Sequence, residues 1–451
     1  MKGATTNRRV ATSIIAGLAL VALIVHLLTI HRYGYFRDEL YYIACARHLD
    51  FGYVDLAPLS AFFLRIELIL FGSSLFALRI VPALASALTI VLTGILAREL
   101  GGRAWAMTLA CTSVLGSLFF LAVGNFYSPN VYEPLFWTGA IYLFCRIING
   151  APSRTWLWFG VVVGFGIQNK HSMVFFGVAI VLAILLTPQR RLFAQKWIWL
   201  GGLIALVIAL PNILWQIERG WPTWVLLHGI AKSNKNVVLS PWEFFFQQIT
   251  LMNPATFPLW FGGLIWLLVS HEGRRYRVIA FTYLIALTEF VVMHGKNYYL
   301  APAYPMLFAA GGVAFERIFA LRMRWLKPAI VFLVLASAVV FAPVALPILS
   351  PEKLLAYMRA SHSRSHERKR RILRHYPNSM PTNSAGRRWC AQLRGSTPAC
   401  LRVNRSSPRF FARIMERPAR LISSARNIDY RQRSPDIKII FTGDRAITLA
   451  R

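Results

Sequence analysis

Charge is scarce in this chain, and negative charge scarcest: 15% of the 451 residues are Asp, Glu, Lys or Arg, and only 18 are acidic. So few charges against 56% hydrophobic residues exclude an ordinary soluble multidomain protein. Cysteine is sparse too. The five cysteines form no CxxC pair and no Cys/His spacing of a metal site, which excludes a zinc module or a disulfide scaffold. Cys111 and Cys145 fall in apolar runs, as small core residues do. The first apolar run, about 10–30, lacks a small-residue cleavage site after it, so it reads as a retained helix rather than a removed signal peptide. No internal repeat is present.

Long apolar runs recur instead from residue 10 to residue 349. A bilayer core takes roughly 20 apolar residues per helix, and every backbone polar group inside it must be paired within the segment. The runs predict an all-α integral membrane protein of about 11 spans, at roughly 10–30, 77–97, 105–123, 130–147, 156–168, 172–187, 197–214, 256–270, 278–294, 302–316 and 328–348. The stretch 58–72, "PLSAFFLRIELILFG", carries Arg65 and Glu67 and reads as an interfacial or re-entrant helix.

The formal net charge of +32 suggests nucleic acid at first sight, but its distribution argues otherwise. Residues 351–451 hold 23 Lys and Arg against 6 Asp and Glu, a net of +17. Most of the remaining excess lies in alternate loops: Arg98 and Arg103; Arg146 and Arg154; Arg190, Arg191 and Lys196; Arg274, Arg275 and Arg277; Arg317, Arg322, Arg324 and Lys327. By the positive-inside rule these loops and the N-terminus are cytoplasmic. The loops around 31–76, 124–129, 169–171, 215–255 and 295–301, and everything after 350, are then extracytoplasmic, and no nucleic-acid partner is expected.

Four polar clusters interrupt the apolar pattern on that outer side. "FRDELYY", residues 36–42, sets Asp38 and Glu39 among aromatics, and on a helix Asp38 and Tyr42 share a face. It reads either as a solvated acidic loop or as a carboxylate poised to orient a metal or take a proton from a hydroxyl. "NFYSPNVYEPLFW" puts Glu133 at a helix start, as a dipole-stabilised terminus or as a working acid. "GIQNKHSMVFF" holds Lys170 and His171 at a break between two apolar segments, as an ordinary polar turn or as part of a site. "HGKNYYLAPAYP" holds Lys296, Tyr298 and Tyr299, either as an aromatic belt with a snorkelling lysine or as a grip on a lipid-linked phosphate. Arg79, in "FALRIVPAL", adds positive charge to the same face.

Together "FRDELYY", "LFALRIVPALASALTIVLTGILAREL", "NVYEPLFWTGAIYLFCR", "GVVVGFGIQNKHSMVFF" and "GKNYYLAPAYPMLFAAGG", in that order over roughly 10–350, resemble the GT-C glycosyltransferases of the protein O-mannosyltransferase and aminoarabinose-transferase type, family 39-like. The resemblance implies a GT-C helical bundle of the bacterial inner membrane. It implies a polyprenyl-phosphate-linked sugar donor and inverting transfer to an acceptor lipid, glycan or protein. Asp38 matches the catalytic acidic position, as general base or metal-associated carboxylate. Glu39 completes the acidic pair, and Glu133 matches the second acidic position. Arg79, Lys170, His171, Lys296, Tyr298 and Tyr299 line or bind near the donor phosphate. A divalent metal is the one cofactor implied, with Asp38 and Glu133 as its ligands. One stretch departs from the pattern: in "YVDLAPLSAFF", Leu56 and Ala57 stand where many relatives have a cation and the first of two prolines.

Residues 351–451 form a basic extracytoplasmic tail without the apolar periodicity of a folded domain, read as a disordered extension or as a frameshifted segment. Two other functions stay open beside the transferase: a membrane transporter or lipid flippase, and an inactive scaffold that keeps the GT-C shell.

Overall fold

The structure, a computed structural model, describes residues 2–232, 239–319 and 325–361, together with the strands 438–441 and 447–450. The chain divides into two units, Met1–Met380 and Pro381–Arg451. The first unit is helical. Its helices are α1 (Lys2–Thr29), α2 (Arg37–Arg47), α3 (Pro58–Phe71), α4 (Leu75–Glu99), α5 (Ala104–Leu115), α6 (Leu118–Val123), α7 (Glu133–Ile148), α8 (Thr155–Asn169) and α9 (Met173–Leu185). They continue as α10 (Lys196–Glu218), α11 (Pro222–Lys232), α12 (Pro241–Leu251), α13 (Phe257–Val269), α14 (Arg277–Val292), α15 (Tyr304–Ile318), α16 (Leu326–Ala345) and α17 (Pro351–Ser361). In the second unit, β1 (Lys438–Phe441) pairs antiparallel with β2 (Ile447–Ala450), with Ile439 opposite Leu449. The readings of the tail as disordered or out of frame fall mainly on 362–437, outside the described residues.

Each of the eleven apolar segments read from the sequence falls on helix, but helix length alone supports fewer full spans. Four helices are long and apolar enough to cross a bilayer: Ala11–Thr29, Leu75–Glu99, Lys196–Glu218 and Leu326–Ala345. Counting each bent pair as one span raises the number to six. Much of the difference is length: α7, α8, α9, α13, α14 and α15 have 13–16 residues each. Breaks add to it. The expected span 105–123 is split at Gly116 and Ser117 into α5 and α6. The chain bends by 97° between α12 and the segment Pro254–Val269, where Asn253 takes a φ of 75°. The Asn253 side chain secures that bend, donating to the Gly116 carbonyl at 2.9 Å and accepting from Ser337 Oγ at 2.6 Å.

The outer surface of the bundle is apolar, as a lipid-facing surface must be. Leu203, Leu206, Val207 and Leu214 on α10, and Phe332, Leu333 and Val339 on α16, are all exposed. Inside, glycines set the closest helix crossings. A Cβ on Gly160 would collide with the Gly201 carbonyl where α8 meets α10, and one on Gly311 would collide with the Leu259 carbonyl where α15 meets α13. Small residues of this kind let apolar helices approach backbone to backbone in a membrane.

The loop between α1 and α4 folds into the two short helices α2 and α3, as expected for interfacial helices in 31–76. Local chemistry defines both. The Glu39 carboxylate reaches back to the Phe36 amide at 2.7 Å, half of a capping box at the start of α2. Pro58 opens α3 at a position where its missing N–H costs nothing.

Candidate active site

One end of the bundle gathers the polar clusters. Glu39 lies in the first turn of α2 and is fully buried. Arg79, on α4, meets it with two parallel bonds, Nε to Oε1 and Nη2 to Oε2, both 2.8 Å. The carboxylate also accepts from the Phe36 amide at 2.7 Å and the Tyr127 amide at 2.9 Å. The remaining Arg79 N–H groups donate to the carbonyls of Ile30, Arg32 and Gly34 at 2.9, 3.2 and 2.5 Å. A guanidinium has five N–H donors, and all five are engaged. This corrects two expectations. Arg79 has no donor left for a lipid phosphate, and Glu39 has no oxygen free for catalysis. The pair instead fastens the start of α2 to α4, the α1–α2 turn and the loop before α7.

Asp38, the next residue, faces another way. Its side chain is 41% exposed, and its one ion-pair partner among the described residues is Arg37 Nε, at 3.0 Å and itself largely exposed. Such a pair contributes little and opens readily. Asp38 therefore remains an accessible acceptor of a proton.

Glu133 is buried at the first turn of α7, where the helix dipole favours its charge. Lys170 Nζ donates to its Oε2 at 2.7 Å, and Ser172 Oγ donates to its Oε1. Lys170 caps the C-terminus of α8, and Ser172 precedes α9, so the polar break between these helices delivers both partners. Lys170 Nζ also lies 4.4 Å from the Tyr299 ring centroid and 5.8 Å from that of Tyr298, within cation–π range. Lys296 Nζ lies 5.8 Å from the Tyr298 centroid and makes no ion pair among the described residues. The rings of Tyr298 and Tyr299 pack edge to face at 5.0 Å.

Tyr298 joins the two acidic positions. Burial pushes its phenol up to about 12; the hydrogen bond with Tyr299 pulls it down, while the nearby charges of Glu133 and Asp38 raise it. Tyr42, one turn beyond Asp38 on α2, is raised by burial first and then by Asp38 and Asp55. Asp38, Glu133, Lys170, Lys296, Tyr298 and Tyr299 thus come together as one site.

His171 sits at its margin. Its Nε2 lies 3.0 Å from Asn212 Oδ1, and Asn212 Nδ2 donates to the Phe51 carbonyl at 2.8 Å. Burial lowers its pKa, the Asn212 bond and Asp55 only partly opposing the shift, so the imidazole is neutral at neutral pH. His171, expected to line the donor phosphate, is hydrogen-bonded with Asn212 at the margin of the site.

The site contains residues that sequence reading did not single out. Tyr41 Oη donates to Asp55 Oδ1 at 2.5 Å, and Asp55 bears electrostatically on Tyr42 and His171. Ser172 and Asn212 matter only through long-range contacts and carry no local signal. Asp55 did have one, because it opens the stretch where the cation is missing. Leu56 and Ala57 turn inward there and are buried with Cys45 and Ala61.

The expected metal pair, Asp38 with Glu133, does not fit a divalent ion. Both Glu133 oxygens are already engaged by Lys170 and Ser172. No group of three or more His, Cys, Asp or Glu side chains gathers to hold a metal among the described residues.

Comparison with known proteins bears on this arrangement. The ArnT structure from Cupriavidus metallidurans bound to undecaprenyl phosphate aligns at a TM-score of 0.58, with 19% identity, covering 75% of this chain and 66% of that one. The chain shares the fold of that ArnT structure. The oligosaccharyltransferase of Archaeoglobus fulgidus in its apo form aligns at a TM-score of 0.55 and 14% identity, over 82% of this chain and 60% of that chain. Residues 55–215 match the family model described as dolichyl-phosphate-mannose-protein mannosyltransferase. The lipid A galacturonosyltransferase RgtD of Rhizobium johnstonii is 26% identical over 227 residues, which is 49% of this chain and 47% of that protein. The chain therefore spans about half the length of this curated relative. The family match opens at Asp55 and includes Arg79, Glu133, Lys170 and His171, while Asp38 and Lys296 lie outside it.

Proposed function

We propose that the protein transfers a sugar from a polyprenyl-phosphate donor to an acceptor at the extracytoplasmic face of the membrane, with inversion at the sugar carbon. The observation that carries this reading is the pairing of one accessible carboxylate with one unpaired cation across the Tyr298–Tyr299 platform, in a bundle of GT-C fold. Asp38 is the general base: it takes the proton of an acceptor hydroxyl as that oxygen attacks the sugar carbon. Lys296 stabilises the negative charge that develops on the departing lipid phosphate. Lys170, held by Glu133 and stacked on Tyr299, supplies a second, fixed positive charge. Glu133 acts through Lys170 rather than on the substrate. Leu56 supplies no charge at its place in the first loop, so the phosphate falls to the two lysines.

The reading is tested by mass spectrometry of surface lipids, glycans and proteins from cells with and without the gene. The proposal predicts that an acceptor loses the mass of one sugar when the gene is absent. Identical acceptor masses in both would overturn it.

A further inference from the structure

One buried acid takes no part in the site described above. Glu67, on α3, is 4% exposed and makes no ion pair among the described residues. Its Oε1 receives a long hydrogen bond from Tyr132 Oη, at 3.5 Å, and its Oε2 is buried without a partner. Ser60, two helical turns earlier on α3, likewise has a buried hydroxyl without a partner, and its carbonyl accepts from Tyr127 Oη at 2.5 Å. The rings of Tyr127 and Tyr132 pack edge to face at 6.0 Å. Both tyrosines belong to the segment that leads into the site. The Tyr127 amide clamps Glu39, and Tyr132 immediately precedes Glu133, the partner of Lys170.

We propose that Glu67 is a positioning residue that works as the protonated acid, seating the Tyr127–Tyr132 segment and through it the Glu133–Lys170 pair. The role in turnover rests on the transferase reading above. The surroundings favour the neutral form. Among the packed elements, the segment before α7 brings Tyr127 and Tyr132 to Glu67; α2 carries Arg37, Asp38, Glu39, Tyr41, Tyr42, Cys45 and Arg47, of which none forms an ion pair with Glu67 among the described residues; and α8 carries no titratable side chain. Arg79 on α4 is committed to Glu39, and Arg65 on α3 itself forms no ion pair with Glu67. An ionised carboxylate at this place would be a buried charge without compensation. Burial accordingly pushes the carboxyl up to about 8, against a smaller opposing pull from Tyr132.

The sign of the pH effect follows. Between the ordinary value of 4.5 and about 8, the unfolded chain carries Glu67 ionised while the folded chain keeps it protonated. Folding takes up a proton in that window, so stability falls as pH rises through it and levels off above.

The test is transfer kinetics of the full chain in proteoliposomes, supplied with a polyprenyl-phosphate sugar and its acceptor, from mildly acidic pH to well above 8. Wild type should lose kcat on the alkaline side, with donor KM little changed. Glu67→Gln, a neutral isostere, should keep turnover at neutral pH and lack that alkaline loss. Glu67→Ala should lower kcat at every pH, by about a hundredfold if the Lys170 ammonium moves by 1 Å. An Ala variant with wild-type kcat, or a Gln variant with the wild-type alkaline loss, overturns the proposal. So does an equal loss of folded protein in both variants, which assigns Glu67 to structure alone. Wild type without transfer at any pH would instead overturn the transferase reading.

Discussion

At the scale of the residue, four carboxylates near one another have four different fates, and their partners decide which. Asp38 is part-exposed beside the surface Arg37, Glu39 is saturated by Arg79 and two amides, Glu133 is held by a lysine and a serine, and Glu67 is left with a single long bond. Removing one partner of a buried pair leaves an uncompensated charge, which costs about 3–5 kcal/mol. Arg79→Met should therefore lower the thermal midpoint strongly and disorder α2, whereas Arg37→Met should leave the midpoint within experimental error. Thermal unfolding in detergent checks both; equal midpoints for the two variants would refute the clamp. Lys296→Ala should lower kcat/KM for the donor by about tenfold, the effect of losing one charged hydrogen bond of about 1.5 kcal/mol. Steady-state kinetics with the lipid-linked donor checks that, and an unchanged kcat/KM removes Lys296 from the phosphate. The sequence makes such residues visible because a charge inside an apolar context stands out. It does not show which charge neutralises which. Glu39 and Arg79 are 40 positions apart, and their mutual saturation converts two apparent site residues into a fastening.

At the scale of the element, the apolar runs announce the helices, and the breaks place the chemistry. The turn between α8 and α9 delivers Lys170, His171 and Ser172 together, and the segment before α7 delivers Tyr127, Tyr132 and Glu133. Breaks inside apolar stretches were harder to read. Gly116 sits in an apolar context, Asn253 directly precedes Pro254, and a contact between the two across the fold joins their bends. Helices α11 and α12 escaped prediction for a different reason: they are 11 residues long each, too short for a spanning run. Close crossings should be the least tolerant part of the bundle. Gly160→Leu should push α8 off α10 and displace Asn212, which lies on α10 and holds His171. The expected outcome is a clear drop in thermal midpoint with loss of activity; Gly177→Leu, where a Cβ meets nothing, serves as the control and should change neither.

At the scale of the whole molecule, an apolar surface and a polar end suit the proposed transfer, whose substrates would arrive from two media: a lipid-borne sugar donor, and an acceptor hydroxyl that meets Asp38 from its exposed side. The helical fold shared with ArnT was legible in the order of five motifs, since the motifs mark where helices end and the order fixes which ends converge. The division of labour inside the site was not legible, because it depends on burial and on partners far apart in sequence. The most direct test of the central claim is the turnover of purified Asp38→Asn protein on a polyprenyl-phosphate sugar and its acceptor. The account predicts that kcat falls by about a hundredfold or more while donor KM stays near the wild-type value, as removal of a general base requires. An Asp38→Asn protein that transfers sugar at the wild-type rate would contradict it.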